Sequence, residues 1–242
     1  MHTTAIVATL LGGMLSMASG PAASAAACER RSPAKPPLVL ELYTSEGCSS
    51  CPPADRWLSQ LKGRDDVLPL AFHVGYWNRL GWVDRFATRE TTDRQYQMAK
   101  VQGLPNVYTP QVLAQGRDWP TWHRDGALPD VASTAPVTIV LRRDGARVTA
   151  EVAAGAPATR WTGYWAVVED GHRSRVTAGE NRGENLVHDH VVRRYQPVAA
   201  WTGAQQMTLD LSPPDPQHPR RVVFVVSDPA TLRPVQAVSL DC

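Results

Sequence analysis

Two cysteines three positions apart are the residues whose spacing most directly predicts chemistry. Cys48 and Cys51 enclose Ser49-Ser50, between an apolar stretch, 38–44, and an amphipathic one, 52–62. A helix N-terminus offers free backbone N–H groups and the positive end of the helix dipole, which stabilise a thiolate. Cys48 is expected at the exposed mouth as the attacking sulfur, and Cys51, one turn further in, as the resolving sulfur. The pair therefore predicts thiol–disulfide exchange, with protein or peptide thiols and disulfides as partners.

Two other uses of the same cysteines remain open. The pair can be a permanently closed structural disulfide, because exported CxxC pairs oxidise easily. It can also be a dithiol site for a soft metal such as Cu(I), with His73 as a further ligand. A zinc site is disfavoured, since zinc usually takes four ligands and the sequence has no second CxxC. We expect neither a cofactor nor a resident metal.

Pro110 and Glu41 are the two residues that could assist the cysteines. Thr109-Pro110 directly precedes an apolar stretch, and a cis proline there would place its backbone opposite the cysteines, where it could pair with an extended substrate. Glu41 is the one carboxylate within the apolar run 38–44. If it is buried, it could accept a proton from Cys51. The alternative is an edge position from which Glu41 faces water.

The first half of the chain has an α/β pattern. Runs 38–44 and 67–74 are continuously apolar, as in buried strands, and 111–114 is a third short strand candidate. Helical segments are expected at 52–62 and 88–102, ended by Gly63 and Gly103. Strand, helix, strand, helix, strand indicates parallel pairing at the centre of a sheet.

The second half is predicted to be rich in β-strands and to contain little helix. Asp144-Gly145 between two alternating segments is a strong hairpin signal. Eight short strand candidates follow one another, at 137–142, 148–153, 164–169, 173–177, 187–193, 207–211, 222–226 and 235–240. Such a series is typical of a β-sandwich or barrel packed against the first half.

Composition and charge exclude several classes of protein. The 242 residues are 43% hydrophobic with a formal net charge of +2, so the composition is that of a folded protein, and no basic patch predicts nucleic-acid binding. Four cysteines are too few for a disulfide-dense scaffold. Residues 1–25 have the apolar run and the Ala23-Ser24-Ala25 cleavage pattern of a signal peptide, followed by a polar leader at 26–37. We therefore expect a secreted or periplasmic protein, cleaved near Ala25, without a stable membrane span.

Several stretches resemble the DUF1223 family, exported bacterial proteins of unknown function with a thioredoxin-like domain. The stretch that contains the cysteines, Leu40–Asp55 (LELYTSEGCSSCPPAD), is similar to the signature of that family. Further similar stretches are Ala71–Trp77, Val107–Gln111, Gly179–Asn181 and Val191–Arg193. The resemblance thus covers most of the mature chain.

The resemblance implies a thioredoxin-like domain, 38–130, followed by a β-rich, sandwich-like domain, 131–242. Cys48 and Cys51 then correspond to the CxxC pair and Pro110 to the cis-proline position. Glu41 approximates the buried acid of thioredoxins, although its distance to the first cysteine is one residue longer. The resemblance assigns no activity, and it does not settle whether the pair acts as an oxidant or a reductant.

The remaining cysteines, Cys28 and Cys242, lie at the two ends of the mature chain. Domain termini often lie close together, and an exported chain can oxidise any pair that meets. We therefore predict a Cys28–Cys242 disulfide. Acylation of Cys28 in a lipoprotein and two free thiols are the alternatives.

Other residues have an ordinary structural interpretation. His73 is expected to be a strand-end histidine, and Tyr76, Trp77 and Trp82 to be packing aromatics in the following loop. Residues 179–183 are predicted to form a β-turn. His188 and His190 are expected on one surface of a strand, since two ligands do not make a metal site.

Overall fold

The computed structural model of the chain describes residues 1–2, 28–124, 127–154 and 158–242. The predicted signal peptide therefore lies, apart from its first two residues, outside the described residues. The strands are β1 (Cys28–Arg31), β2 (Leu38–Thr44), β3 (Val67–His73), β4 (Gln111–Ala114), β5 (Arg117–Asp118), β6 (Val137–Asp144), β7 (Arg147–Ala154), β8 (Arg160–Glu169), β9 (His172–Arg175), β10 (Asn185–His188), β11 (Val191–Thr202), β12 (Gln205–Asp210), β13 (Arg220–Ser227) and β14 (Pro234–Leu240). The helices are α1 (Pro52–Ser59), a 3₁₀ helix (Gly75–Leu80) and α2 (Arg89–Gln102). The protein is thus mostly β, as its second half predicts.

The first half builds a small mixed sheet around β2. All seven residues of β2 are buried, as are all seven of β3, and the two strands run parallel with α1 as their connection. Strand β4 pairs antiparallel with the other edge of β2, and β5 follows β4. Helix α2 lies between β3 and β4 in the chain. Its N-cap is Thr88, whose hydroxyl accepts from the Thr91 N–H, and its C-cap is Gly103, in the left-handed region. The strand–helix pattern predicted for this half is confirmed.

This sheet continues without interruption into the second half. The eight-stranded sheet has the order β14-β13-β8-β11-β3-β2-β4-β5, so it contains strands from both sides of residue 130. The junction is narrow, with Val191 of β11 opposite Ala71 of β3 and the Ala71 N–H donating to the His190 carbonyl. One hydrophobic core underlies the junction and joins Val39 and Phe72 to Tyr164 and other residues of the second half.

A second sheet, β1-β6-β7-β12, packs against the far end of the first. Its apolar face, including Ile139 and Val148, shares a core with Trp165 and Phe224 of β8 and β13. Two sheets therefore enclose the core of the β-rich half. The expectation that residues 26–37 form only a polar leader is wrong, because Cys28–Arg31 adds an edge strand to β6.

Cys28 and Cys242 form a disulfide, as predicted. Cys28 is the first residue of β1, and β14 ends two residues before Cys242. In the chain-entropy model a loop of this length contributes about 5 kcal/mol to stability. The disulfide also holds in place β1, a four-residue strand at the edge of its sheet.

The predicted strand 187–193 is interrupted. His190 adopts a φ of +59°, so the chain turns between β10 and β11 instead of continuing. The expectation that His188 and His190 lie on the surface is also wrong, since they are 2% and 3% exposed. His188 packs against the rings of His73 and Phe86, and His190 contacts the Arg221 guanidinium.

Within the described residues, no helix is both long and apolar enough to span a bilayer.

A buried ion pair within the first half receives hydrogen bonds from tyrosines of the second half. The Arg94 guanidinium donates from Nε and Nη2 to the Glu41 carboxylate, at 3.0 and 2.5 Å. The hydroxyls of Tyr43 and Tyr164 also donate to this carboxylate, at 2.7 and 3.1 Å, and Arg94 Nη1 donates to the Tyr195 hydroxyl. Burial and the neighbouring carboxylate raise the pKa of Tyr43 and Tyr164 well above the ordinary value, so both phenols remain donors.

Replacing Arg94 by methionine is expected to destabilise the protein by about 3–5 kcal/mol, because the Glu41 carboxylate is then buried without a cation. The double variant Glu41→Gln/Arg94→Met should recover part of this loss, since the amide still accepts from the tyrosines. The control, Arg89→Met on the same helix, removes an arginine that is 89% exposed and should cost little. Urea unfolding measures all three variants. Equal losses for Arg94→Met and Arg89→Met would show that the pair does not support the fold.

Candidate functional site

The CxxC pair lies where the sequence predicts, between β2 and α1, and it forms a disulfide. Cys51 is the N-cap residue of α1, and the two prolines that follow occupy the first turn, which needs no donor from them. Cys48 is 1% exposed and Cys51 is 0% exposed. The expectation of an exposed Cys48 is therefore wrong for the oxidised protein, because other parts of the chain cover the pair.

The cover is a short segment from the second half, Gly179–Asn181, which we call the strap. The Asn181 side-chain amide is buried and donates to the carbonyls of Glu46 and Cys48, both at 2.9 Å. The exposed Glu180 carboxylate accepts from the Ser49 N–H at 3.1 Å and from its hydroxyl at 2.8 Å. The strap is thus hydrogen-bonded to the CxxC loop on both sides of Cys48.

On its other flank the CxxC loop packs against the 3₁₀ helix. A Cβ on Gly47 would lie 3.0 Å from Trp77 Cβ, so the close approach requires glycine here. Trp77 Nε1 donates to the Thr109 hydroxyl at 2.8 Å, and the Thr109–Pro110 bond is cis. The predicted cis isomer is confirmed, and Trp77 connects the proline loop to the CxxC loop. Trp82 likewise packs into the site, where its Nε1 donates to Glu46 at 2.7 Å.

Behind the disulfide lies a buried cluster of five titratable side chains, which we call the acid–imidazole cluster. Its members are Glu46, Asp55, His73, Asp84 and His188, each between 0% and 8% exposed. His73 Nδ1 lies 2.7 Å from Asp84 Oδ2, and His188 lies with Nε2 3.2 Å from Glu46 Oε1 and with Nδ1 3.9 Å from Asp55 Oδ2. The two imidazoles pack edge to face with ring centroids 4.9 Å apart.

The cluster contains both strongly acidic and weakly acidic carboxyl groups. Burial alone would raise the pKa of Asp84, but the His73 imidazolium and the N–H groups of Glu46 and Phe86 lower it to about 2. Burial raises the pKa of Asp55, which histidines His188 and His73 offset only in part. Burial alone would lower the pKa of His73, but the surrounding carboxylates raise it. Of the three carboxyl groups, Asp55 is therefore the one whose protonated form is favoured by its surroundings.

Several polar atoms of the cluster are buried without a hydrogen-bond partner in the described structure. They include His73 Nε2 and His188 Nδ1, whereas His188 Nε2 and Glu46 Oε1 face each other at 3.2 Å. Unpaired buried groups are costly in a core and concentrate at functional positions. Among the described residues no group of three or more histidine, cysteine or carboxylate side chains is arranged to hold a metal ion.

Glu41 is buried, which is one of the two arrangements expected for it. Its carboxylate pairs with Arg94 rather than with Cys51. Both of its oxygens are occupied by Arg94 and by two tyrosine hydroxyls. Asp55 is closer to Cys51 along the chain, one helical turn later on the same face of α1, and its N–H donates to the Cys51 carbonyl at 3.1 Å.

The sequence pattern finds the cysteines and Pro110 but misses most of the surrounding polar residues. Asp84, Glu180 and Asn181 reach the site from positions 38 to 135 residues away along the chain, so no local spacing reveals them. Asp55 carries the one local signal, its spacing of four residues from Cys51. Gly179–Asn181 is one of the stretches that resemble the family, but the resemblance does not predict its contact with the CxxC loop.

Replacing Asp84 by asparagine is expected to destabilise the protein in a pH-dependent way. The lowered pKa of Asp84 gives a stabilisation that is complete above its unfolded pKa near 3.8 and is lost as pH falls toward 2. The raised pKa of His73 gives a second stabilisation, which is complete below the unfolded histidine pKa of 6.5 and is lost as pH rises above it. The difference between wild type and Asp84→Asn should thus be largest between pH 4 and 6.5, and about 2 kcal/mol smaller near pH 2.

Denaturant unfolding across this pH range checks the expectation, with Asp65→Asn as a control at an exposed carboxylate. A difference between wild type and Asp84→Asn that does not change with pH would contradict an ion pair with His73.

Comparisons with known proteins agree with the family resemblance. The crystal structure of protein AGR_C_4864 from Agrobacterium tumefaciens is similar with a TM-score of 0.63 and 27% identity, over 84% of this chain and 93% of that chain. HBP35 of Porphyromonas gingivalis is similar with a TM-score of 0.59 and 14% identity, over 87% of this chain and 76% of that one, which shows a shared fold alone. No curated protein matches the sequence. The family model described as "Protein of unknown function (DUF1223)" matches residues 39–227, and the chain therefore belongs to the DUF1223 family.

Proposed function

We propose that the protein is an exported thiol–disulfide exchange protein with a thioredoxin-like unit in its first half. The observation that carries the proposal is the Cys48–Cys51 disulfide at the start of α1, one turn before a buried Asp55 whose pKa is raised. Helix N-termini lower the pKa of thiols, and a buried acid can exchange the proton of the second one.

The order of elements supports the thioredoxin-like unit. Strands β3-β2-β4-β5 are adjacent in the sheet, with β2 and β3 parallel and β4 antiparallel to β2. The CxxC pair lies between the central strand and α1, and the cis peptide bond of Thr109–Pro110 directly precedes β4. This unit has no free sheet edge beside β3, because β11 occupies that position.

Exchange starting from the oxidised pair proceeds in two balanced steps. A substrate thiolate attacks Cys48 Sγ, the Cys48–Cys51 bond breaks, and Cys51 leaves as a thiolate that takes up a proton. A second substrate thiolate attacks the substrate sulfur of the mixed disulfide, which releases Cys48 as a thiolate. The substrate dithiol becomes a disulfide and the protein disulfide becomes a dithiol. The same bonds form and break in the opposite order when the substrate is reduced.

Asp55 is the group that we assign to proton exchange with Cys51. Its carboxyl lies 3.9 Å from His188, which in turn lies 3.2 Å from Glu46, so a proton can be shared within the buried cluster. Glu41, expected for this role from the sequence, is held by Arg94 instead. The assignment to Asp55 also explains why a polar cluster lies buried against the CxxC loop.

An exported location fits the cysteine chemistry. All four cysteines are oxidised, and structural disulfides persist in secreted and periplasmic compartments. The signal-like segment 1–25 agrees with this location.

The exchange reaction predicts that the variant Cys51→Ser traps a mixed disulfide. Reduced Cys51→Ser protein incubated with oxidised glutathione should accumulate glutathione on Cys48, because the resolving thiol is missing. Reduced wild type should instead re-form Cys48–Cys51. Intact mass and peptide mapping distinguish the products, and Cys48→Ser is the matched control, in which adduct formation on Cys51 should be much slower.

The reduction potential of wild type should lie within the range of known exchangers, about −270 to −120 mV. A disulfide that is reduced only after unfolding, or a Cys51→Ser variant that forms no adduct, would instead assign Cys48–Cys51 a structural role.

Releasing the strap is expected to speed reduction of the buried disulfide. Glu180→Ala removes both hydrogen bonds to Ser49 and should increase the rate of reduction by dithiothreitol severalfold, since the loop opens more readily. Glu184→Ala changes an exposed glutamate in the same loop and should leave the rate unchanged. Thiol alkylation with mass detection at Cys48 measures the rate. Equal rates in Glu180→Ala and Glu184→Ala would mean that the strap does not limit access.

A further inference from the structure

A cleft of about 560 Å³ lies beside Phe86, in a part of the protein that the proposed exchange reaction does not use. Strands β8, β9, β11 and β13 contribute to its walls, together with the loops that contain Phe86 and follow β12. Four arginines border it, Arg85, Arg193, Arg194 and Arg220. We call it the arginine cleft.

The positive charge of the cleft is only partly balanced. Buried Glu169 accepts from Arg220 at 2.9 and 2.6 Å, and its second oxygen lies 3.4 Å from Arg193 Nε. Asp215, at the rim, lies 4.0 Å from His218. Four guanidinium groups therefore face two carboxylates, which leaves two positive charges in excess.

Arg85 and Arg194 are the arginines without an acidic partner. Arg85 donates to the Arg173 carbonyl, and Arg194 donates to the Asp210 carbonyl and to the Gln196 amide oxygen. Across the described ranges, no carboxylate lies within 4.0 Å of either guanidinium. Neutral oxygens orient both side chains and leave their charges uncompensated.

The lowered pKa of His172 in the cleft agrees with this excess of positive charge. His172 and His218 stack with ring centroids 3.7 Å apart. Burial, together with His218 and Arg193, lowers the pKa of His172 to about 4, although Glu169 lies 3.1 Å away. The imidazole therefore stays neutral at physiological pH, in a cleft where arginines outnumber carboxylates.

The cleft also has an apolar wall. Phe86 is 1% exposed, and the guanidinium groups of Arg85 and Arg193 lie over its ring at 4.6 and 5.1 Å from the centroid. Leu211 and Pro213 contribute further apolar surface. Cations beside an apolar wall, in a volume typical of small-molecule sites, suit a ligand with a charged head and a compact body.

We propose that the arginine cleft binds a small organic anion that carries a carboxylate or phosphate group on an apolar or aromatic body. The planar guanidinium groups of Arg85, Arg193 and Arg194 bind the anionic head through paired hydrogen bonds. The body packs against Pro213 and the edge of Leu211. This binding does not depend on the Cys48–Cys51 pair, so it stands apart from the proposed exchange reaction.

Isothermal titration of the oxidised wild-type protein with four probes tests the proposal. Phenyl phosphate and benzoate each combine an anionic head with an aromatic body, inorganic phosphate supplies the head alone, and benzyl alcohol supplies the body alone. At least one of the first two should bind, at least tenfold more tightly than both inorganic phosphate and benzyl alcohol. Preference between them identifies the head as phosphate or carboxylate. Absence of binding by both at millimolar concentrations overturns the proposal.

Arginine variants locate the binding. Arg193→Gln/Arg194→Gln should weaken the affinity for the bound probe at least tenfold, because hydrogen bonds to a charged group are lost. Arg85→Gln should weaken it without disturbing the contacts of Glu169. Arg89→Gln/Arg142→Gln removes the same charge from exposed positions outside the cleft and should bind like wild type. Thermal unfolding verifies that each variant is folded. Unchanged affinity in the cleft variants, or an equal loss in the control, rejects the arginine cleft as the site.

Discussion

The buried Glu41–Arg94 ion pair is the interaction on which the arrangement of the two halves depends. Removing two charges from water is expensive, and a low-dielectric interior compensates only when further hydrogen bonds satisfy the remaining donors and acceptors. Here those bonds come from Tyr164 and Tyr195, on β8 and β11 of the second half. The Arg94 guanidinium also lies over the Tyr164 ring, 4.2 Å from its centroid. The first half alone would leave the charge pair partly unsatisfied, so the sheet is completed by strands from later in the chain.

The position of the CxxC loop follows from that arrangement. Strand β2 carries Glu41 at its centre and leads directly into the loop, so fixing Glu41 also fixes where Cys48 emerges. The second half then supplies the strap, and Asn181 binds the carbonyls on both sides of Gly47. The CxxC pair is therefore covered by a segment from the second half of the chain. Access to Cys48 therefore depends on the contact between the strap and the CxxC loop.

The sequence predicts those features of the structure that depend on residues close together in the chain. The cysteine spacing, the helix that Thr88 caps and the proline before β4 depend on residues close together in the chain, and each is found where it is expected. Long-range pairing is not visible in such signals. Nothing near His188 in the sequence indicates that it packs on His73, 115 positions earlier, and an alternating pattern alone places it on a surface. Strand β1 is not visible in the sequence for the same reason, because a cysteine and three charged residues form a strand only when β6 is present to pair with them.

Phe86 separates two regions of opposite electrostatic character. On one side its ring packs on His73 and His188 of the acid–imidazole cluster, and on the other it contacts Arg85 and Arg193. Carboxylates of the cluster and arginines of the cleft would form ion pairs if they met, and such a pair would compensate the charge of Arg85. Within the described residues, neither Arg85 nor Arg193 lies within 4.0 Å of a cluster carboxylate. The buried ring of Phe86 lies between the two regions, so the fold keeps an acidic cluster and a basic cleft side by side without neutralising either.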